Sequence, residues 1–314
     1  MKLYIKSLLP VAAIALSLGL TSCVGDLDVK PIDPSTNMTV NPQNLFNKCY
    51  ANMAVAGNGG ANGDSDIDGI DGGTSGFLRQ LFNSQELTAD EAISAWGDEG
   101  VQPLNKNQWN SEHPFLRGFY YRLFFGVTVC NHYLDVASNY DATMTAEVRF
   151  LRALYYYYLM DGWGNIGFRT TVGSDKPGQM SRADLYKWIE SELLAAEQNM
   201  AAAKPEKDTE EGYGRADKAA AWLLLSRLYL NAEVYTGKAE WAKAKEYAKK
   251  VMDSSYKLHT GSTVNGWTAY QQLFMADNGS NGASEEAILA LLQDGEKTTS
   301  YGTSLFLMAG AFND

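Results

Sequence analysis

Basic residues, cysteines and long apolar runs are all scarce in this chain of 314 residues. The 26 lysines and arginines are outnumbered by 37 acidic residues, and a formal net charge of −11 argues against binding to nucleic acid. Two of the three cysteines, Cys49 and Cys130, lie in stretches with helical periodicity, so we expect small buried side chains and no disulfide framework. After residue 20, no apolar run is long enough to span a membrane. Neutral ligands such as sugars are compatible with this composition.

The first 22 residues are predicted to be a signal peptide. Lys2 and Lys6 precede an apolar run from Leu8 to Leu20, and the sequence Leu-Thr-Ser before Cys23 resembles a bacterial lipobox. A plain secretory signal is the alternative, but the cysteine stands where cleavage would fall, which favours acylation. Residues 23–40 are then a lipidated acidic tether, and lipid on Cys23 would anchor the chain to a membrane. Removing the signal peptide would bring the formal net charge to −13, because it contains two lysines and no acidic residue.

Residues 41–314 are predicted to form a mainly α-helical domain, with a helical-repeat core at about 115–255. Apolar residues recur with the 3.6-residue period, and side chains that favour helix starts precede several of these stretches. The four consecutive tyrosines Tyr155–Tyr158 point in different directions around a helix, so we expect most of them to pack between helices. The first predicted helix begins at Asn41-Pro42, and two further helices cover Phe115–Ala137 and Ala146–Asp161. Glycines at 162 and 164 should end the third helix, and a fourth begins at Ser181.

A helical hairpin is predicted over residues 219–251. Asp217 is a candidate N-cap for an apolar helix, and turn residues from Asn231 to Gly237 separate it from a second helix that begins near Lys238. The predicted inner stripe of this second helix is Trp241, Ala244, Ala248 and Val251. The pattern is typical of a tetratricopeptide-type hairpin, with an unrelated helical hairpin as the alternative.

Beyond Tyr256 the helical periodicity of apolar residues ends. The short apolar stretch Glu286–Gln293 is bounded by turn residues and predicts a strand. The sequence reaches Asp314 without a closing element, so we expect it to be cut short.

A glycine- and aspartate-rich stretch follows the first helix. Asp64, Asp66 and Asp68 match the opening half of an EF-hand loop, but Ser75 stands where a bidentate glutamate belongs. A structural calcium ion is one interpretation of this stretch, and a solvated loop is the alternative. No other cofactor is required by the sequence.

Between residues 76 and 109, aromatic residues alternate with polar ones, and several should face one cleft. Glu86, Asp90 and Glu91 could supply the acid and base of a glycosidase, but their spacing does not favour this over a solvated acidic face.

The chain resembles the SusD-like (RagB/SusD) family. The resemblance runs from Cys23 almost to the end. It is carried by the lipobox with its acidic residues, by residues 63–92 with Trp96, by residues 146–168, by the hairpin at 214–251, and by 273–278 with 293–302. It implies a SusD-like fold, in which tetratricopeptide-like hairpins support a loop-rich binding region. Acidic residues behind the cysteine also resemble the surface-export signal of Bacteroidetes lipoproteins.

The resemblance implies a role as well as a fold. Such proteins are lipid-anchored in the outer membrane, hold glycans on the cell surface, cap a SusC-like TonB-dependent transporter and are not enzymes. For this chain we expect starch or malto-oligosaccharide as the ligand, because an arc of aromatic rings selects a coiled glucan. Another glycan, a protein-binding scaffold of tetratricopeptide type and a glycosidase are the alternatives.

The resemblance also implies site residues. Trp96 and Tyr301 match aromatics of the sugar-binding arc, and Arg79 matches a polar contact to the ligand. Asp98 and Glu99 match polar neighbours of the tryptophan, although Glu99 stands where the family pattern has asparagine. A core tryptophan and a packed loop tyrosine are the alternative readings of Trp96 and Tyr301. A third aromatic of the arc is expected to lie beyond residue 314.

Overall fold

A computed structural model of the chain describes residues 40–57 and 65–299, and it is mainly helical. Twelve-residue or longer helices dominate this part of the chain. They are α1 (Pro42–Ala54), α5 (Pro114–Val136), α6 (Ala142–Trp163), α7 (Arg182–Ala196), α8 (Lys218–Leu230) and α10 (Trp241–Met252). The shorter helices are α2 (Gly72–Ser75), α3 (Phe77–Gln85), α4 (Val101–Asn105), α9 (Ala232–Thr236), α11 (Ala269–Gln272) and a 3₁₀ turn at Ala283–Glu285.

The predicted helix starts are confirmed at three places. Asn41 accepts a hydrogen bond from Asn44 N–H ahead of Pro42, and Ser181 accepts one from the N–H of Asp184. Asp217 caps α8 by accepting from two backbone N–H groups. Because the first N–H groups of a helix lack partners within it, such side chains fix where each helix begins.

The glycine stop after the tyrosine run is also confirmed, although the helix begins four residues earlier and ends two residues later than predicted. Gly164 ends α6 with a φ of 75°, a left-handed conformation that costs glycine little. Gly162 remains inside the helix.

The core lies between successive helices, where α5 packs on α6, α6 on α7, and α8 on α10. Tyr155, Tyr156 and Tyr157 are buried in it, which confirms that most of the tyrosine run is interhelix packing. The Tyr155 hydroxyl donates to the carbonyl of Cys49 at 2.9 Å, so one ring joins α6 to α1. Cys49 and Cys130 are fully buried free thiols, as expected.

The hairpin differs from the prediction in its connection and in one face. The predicted turn contains the short helix α9, which Gly237 ends with a φ of 76°. Ala244 and Tyr247 are buried against α8, but Trp241 is 63% exposed, so its assignment to the inner stripe was wrong. Trp241 is the first residue of α10. Side chains in a helix point back towards its N-terminus, so we expect this ring to project beyond the start of α10 and not onto α8.

The predicted strand at Glu286–Gln293 was also wrong, because this segment is irregular. In the described residues, the one strand pair is β1 (Ile166–Gly167) with β2 (Gln179–Met180), antiparallel with Ile166 opposite Met180. The segment therefore has no strand beside it there, and Ile288, Leu289 and Leu291 pack on the helical core instead. Within the same ranges, none of the helices has both the length and the apolar character needed to cross a membrane.

Candidate functional site

The predicted site residue Arg79 lies on α3, and its side chain is 3% exposed. Its guanidinium carbon is 5.8 Å from the ring centroid of Trp96 and 4.9 Å from that of Phe115. Nη2 is 3.3 Å from Oδ2 of Asp98, and Nη1 donates to the carbonyl of Gly73 at 3.2 Å. Arginine therefore lies between two aromatic rings and beside a carboxylate, and it joins α3 to the loop that carries Trp96 and Asp98.

Trp96 is half-buried and packs against a small apolar cluster that is separate from the main core. The buried members of this cluster are Leu87, Val101, Leu104 and Phe115. Burial of one part of the indole against these residues fixes the ring without removing it from solvent. A ring held in this way can offer a surface to a ligand with little loss of side-chain entropy.

Asn105 fixes the backbone just before Trp96. Its Nδ2 donates to the carbonyl of Ser94 at 2.8 Å, and its Oδ1 accepts from the N–H of the same residue at 3.4 Å. The Asn105 side chain therefore supplies the two hydrogen bonds that a neighbouring strand would otherwise make to the backbone of Ser94.

His113 ties the other end of the loop to the start of α5. Its Nε2 lies 3.0 Å from the carbonyl of Gly100, and its Nδ1 accepts from the N–H of Leu116 at 3.3 Å. These partners assign the proton to Nε2 of a neutral ring. Burial lowers the pKa of His113, although the Gly100 carbonyl and the nearby Glu99 charge oppose this effect. Gly100 itself has a φ of 102°, a conformation that favours glycine.

The structure thus brings together Arg79, Trp96 and Asp98. Asp98 is 45% exposed at the side chain, Glu99 is exposed next to it, and Arg79 lies behind the surface. Tyr301 and Cys23 lie outside the described residues.

Sequence reasoning did not identify Asn105, His113 or Phe115 as parts of this site. The dipeptide His113-Pro114 gave a usable signal, because a capping side chain followed by proline is typical of a helix start. Asn105 gave none, since its partner Ser94 is eleven residues away in an irregular segment.

The acidic residues considered for catalysis come from the end of α3 and the residues that follow it. Glu86 is half-buried at the end of α3, while Asp90 and Glu91 are exposed in the following turn.

The arrangement at Trp96 offers an aromatic surface beside carboxylate acceptors, which suits binding to hydroxyl-rich ligands.

The stretch considered for calcium is organised by an arginine. Asp66 accepts from Nη2 of Arg122 at 2.6 Å and from Nζ of Lys48 at 3.1 Å. Burial would raise the pKa of Asp66, but these two cations outweigh it, and the pKa lies below its usual value. Asp64 lies outside the described residues. Across residues 40–57 and 65–299, no group of His, Cys, Asp and Glu is placed to hold a metal ion.

Comparison with a protein-family model matches residues 27–230 to a SusD-like family described as starch-binding and associating with the outer membrane. The chain is also 43% identical to the starch-binding protein SusD of Bacteroides thetaiotaomicron, over 98% of this chain and 55% of that protein. The chain therefore spans about half the length of this curated relative.

Solved structures with the same fold include a SusD-like carbohydrate-binding protein from Bacteroides fragilis. That protein is 20% identical, with a TM-score of 0.57 over 77% of this chain and 44% of its own. A laminarin-binding SusD-like protein is 19% identical, with a TM-score of 0.55 over 77% of this chain and 49% of its own. At these identities the likeness establishes a shared fold, and it agrees with the predicted mainly helical, SusD-like architecture.

Proposed function

The chain belongs to the SusD-like family, and from that premise we propose that it binds a glycan at the cell surface, with starch or malto-oligosaccharide as its ligand. The observation that carries the proposal is the fixed, half-buried ring of Trp96 beside the exposed carboxylate of Asp98. The 43% identity to a starch-binding relative supports an α-glucan over other glycans.

The geometry suggests how a sugar would bind. A pyranose ring presents C–H groups to the face of Trp96, which buries apolar area on a surface that is already ordered. Asp98 and Glu99 accept hydrogen bonds from hydroxyl groups next to that ring. Arg79 holds the indole and the Asp98 carboxylate in place, and we propose that it also contacts the ligand. Tyr301 would supply a second ring, and two rings set at an angle favour a coiled glucan over a flat chain.

The remaining parts of the role follow from the family. We propose that lipid on Cys23 anchors the chain to the outer membrane, with the acidic residues 23–40 as a tether on the outer surface. The bound glycan would pass to a SusC-like TonB-dependent transporter. We propose that the chain binds without catalysis, as the family resemblance implies.

Affinity electrophoresis on gels that contain amylopectin, pullulan or laminarin tests the ligand. We expect the soluble chain to be retarded by the two α-glucans, and Trp96→Ala or Tyr301→Ala to remove most of this retardation. Trp241→Ala is the matched control, since Trp241 is exposed on α10. Asp98→Asn gives a second variant that leaves the apolar packing of the site intact. Retardation by laminarin alone would replace α-glucan with a β-glucan ligand.

Two further outcomes separate the alternative functions. Release of reducing ends from starch would indicate a glycosidase. No retardation of the wild type on any of the three gels would leave a protein-binding helical scaffold as the better explanation.

A further inference from the structure

A second aromatic surface lies in a groove between the loop at residues 107–113 and the helices α5 and α6. The groove has a volume of about 920 Å³. We name it the Trp109 groove, and its aromatic lining consists of Trp109, Phe119, Tyr120, Tyr121, Tyr158 and Trp163. Arg79, Trp96 and Asp98 lie outside the described lining, so the groove is separate from the site above.

Several of these rings are both exposed and ordered. Trp109 is 48% exposed and Tyr121 is 46% exposed. The ring of Tyr120 lies 6.2 Å from that of Tyr121 and 5.3 Å from that of Trp163, centroid to centroid. With Phe119 at 5.9 Å from Trp163, the rings of Tyr121, Tyr120, Trp163 and Phe119 form one connected series, and Trp109 lines the same groove from the loop. Aromatic surfaces of this kind suit flat, weakly polar ligand faces such as the C–H face of a sugar ring.

The loop that presents Trp109 is held by its own hydrogen bonds. The N–H of Gln108 donates to the carbonyl of Pro103 at 2.8 Å, and the N–H of His113 donates to the carbonyl of Asn110 at 3.2 Å. The side chain of Asn110 accepts from the N–H of Glu112 at 3.0 Å. Since the loop is ordered by these bonds, a ligand would not have to order it on binding.

Polar side chains alternate with the rings and match a hydroxyl-rich ligand. Gln85, Asn110 and Asn165 contribute amides that both donate and accept, and Arg117 and Glu112 contribute one charge of each sign. A sugar supplies hydroxyl groups to these side chains, whereas a lipid or an aliphatic peptide face offers them no further hydrogen bonds. The volume lies in the range of pockets that bind small molecules and short oligomers.

We propose that the Trp109 groove is a second carbohydrate subsite that binds a neutral oligosaccharide. The choice of ligand class rests on the proposed function, but the groove itself does not depend on Trp96. Leu104 and Leu116 line the groove and also belong to the apolar cluster that supports Trp96. The two surfaces therefore share one support, and two weak sites on one rigid body would bind a long polysaccharide more tightly than either site alone.

Affinity electrophoresis on amylopectin gels with Trp109→Ala, Tyr121→Ala and the double variant Trp96→Ala/Trp109→Ala tests the proposal. We expect each single groove variant to have a dissociation constant at least threefold higher than the wild type. The double variant should bind more weakly than Trp96→Ala. Trp241→Ala is again the control, as an exposed tryptophan outside the groove. Trp109 and Tyr121 are both half-exposed, so neither change should prevent folding.

The results distinguish the two proposals. Loss of binding in Trp109→Ala with full binding in Trp96→Ala would support the groove and contradict the site at Trp96. Wild-type binding by both Trp109→Ala and Tyr121→Ala, with weakened binding by Trp96→Ala, would overturn the groove and keep the site.

Discussion

Replacing Arg122 with methionine should destabilise the chain strongly. Arg122 is fully buried, and its guanidinium donates to Asp66, to the side chain of Asn52 and to backbone carbonyls at Ala56 and Ser75. The carbonyl distances are 3.2 and 2.8 Å respectively. One side chain of α5 thus holds the end of α1 and the stretch that leads to α2.

The size of the effect follows from what the substitution leaves behind. Methionine fills much of the volume, but Asp66 keeps a single cation, Lys48, and the two carbonyls lose a buried donor. Breaking a buried ion pair costs about 3–5 kcal/mol in the free energy of unfolding. At roughly 2–4 °C per kcal/mol, the melting temperature should fall on the order of 10 °C.

Thermal and urea unfolding of Arg122→Met and Lys48→Met gives the comparison. Both substitutions remove a cation from the same carboxylate, but the Lys48 side chain is 28% exposed. Its loss should cost under about 1 kcal/mol, as is usual for ion pairs near the surface. If Arg122→Met cost no more than Lys48→Met, buried hydrogen bonding by Arg122 would not be what holds this stretch.

Two further predictions concern the supports of the site. Burial lowers the pKa of His113, so the free energy of unfolding should fall as the pH decreases from about 6.5 towards the pKa of the folded state. The variant His113→Asn keeps a capping side chain and should lose this dependence. Melting curves from pH 7.5 to 5.5 measure the difference. An equal decline in the variant would contradict the assignment. Gly118→Ala should cost about 1–3 kcal/mol, because the added Cβ would overlap the carbonyl oxygen of Thr74. Gly162→Ala, whose Cβ would meet open space, should instead stabilise by up to about 1 kcal/mol; equal effects in urea unfolding would refute this difference.

The long helices could be predicted from sequence because local signals determine them. Asn41, Ser181 and Asp217 cap helices through partners two or three residues away, and the apolar period identifies the buried faces. Trp241 was assigned to the wrong face because periodicity does not show that the helix begins at that residue. The stretch Glu286–Gln293 is short, apolar and bounded by turn residues, but a strand also needs a neighbouring strand, which this pattern does not reveal.

The site was less accessible from sequence. The resemblance to the family predicted Arg79, Trp96 and Asp98 as site residues, and these three side chains lie close together. It gave no indication that Arg79 lies buried between two rings, since Phe115 reaches it from a different helix. The Trp109 groove also escaped prediction, because its rings come from the loop at 107–113 and from two helices that pack only in the folded chain.

Calorimetric titration of a malto-oligosaccharide into wild type and Trp96→Ala tests the central claim most directly. Glycan binding at the Trp96 surface predicts measurable heat for the wild type and a dissociation constant at least tenfold weaker for the variant, equivalent to about 1.4 kcal/mol. The two proteins should show equal melting temperatures within a few degrees, so that unfolding does not explain the loss. Equal dissociation constants for the two proteins would contradict the account.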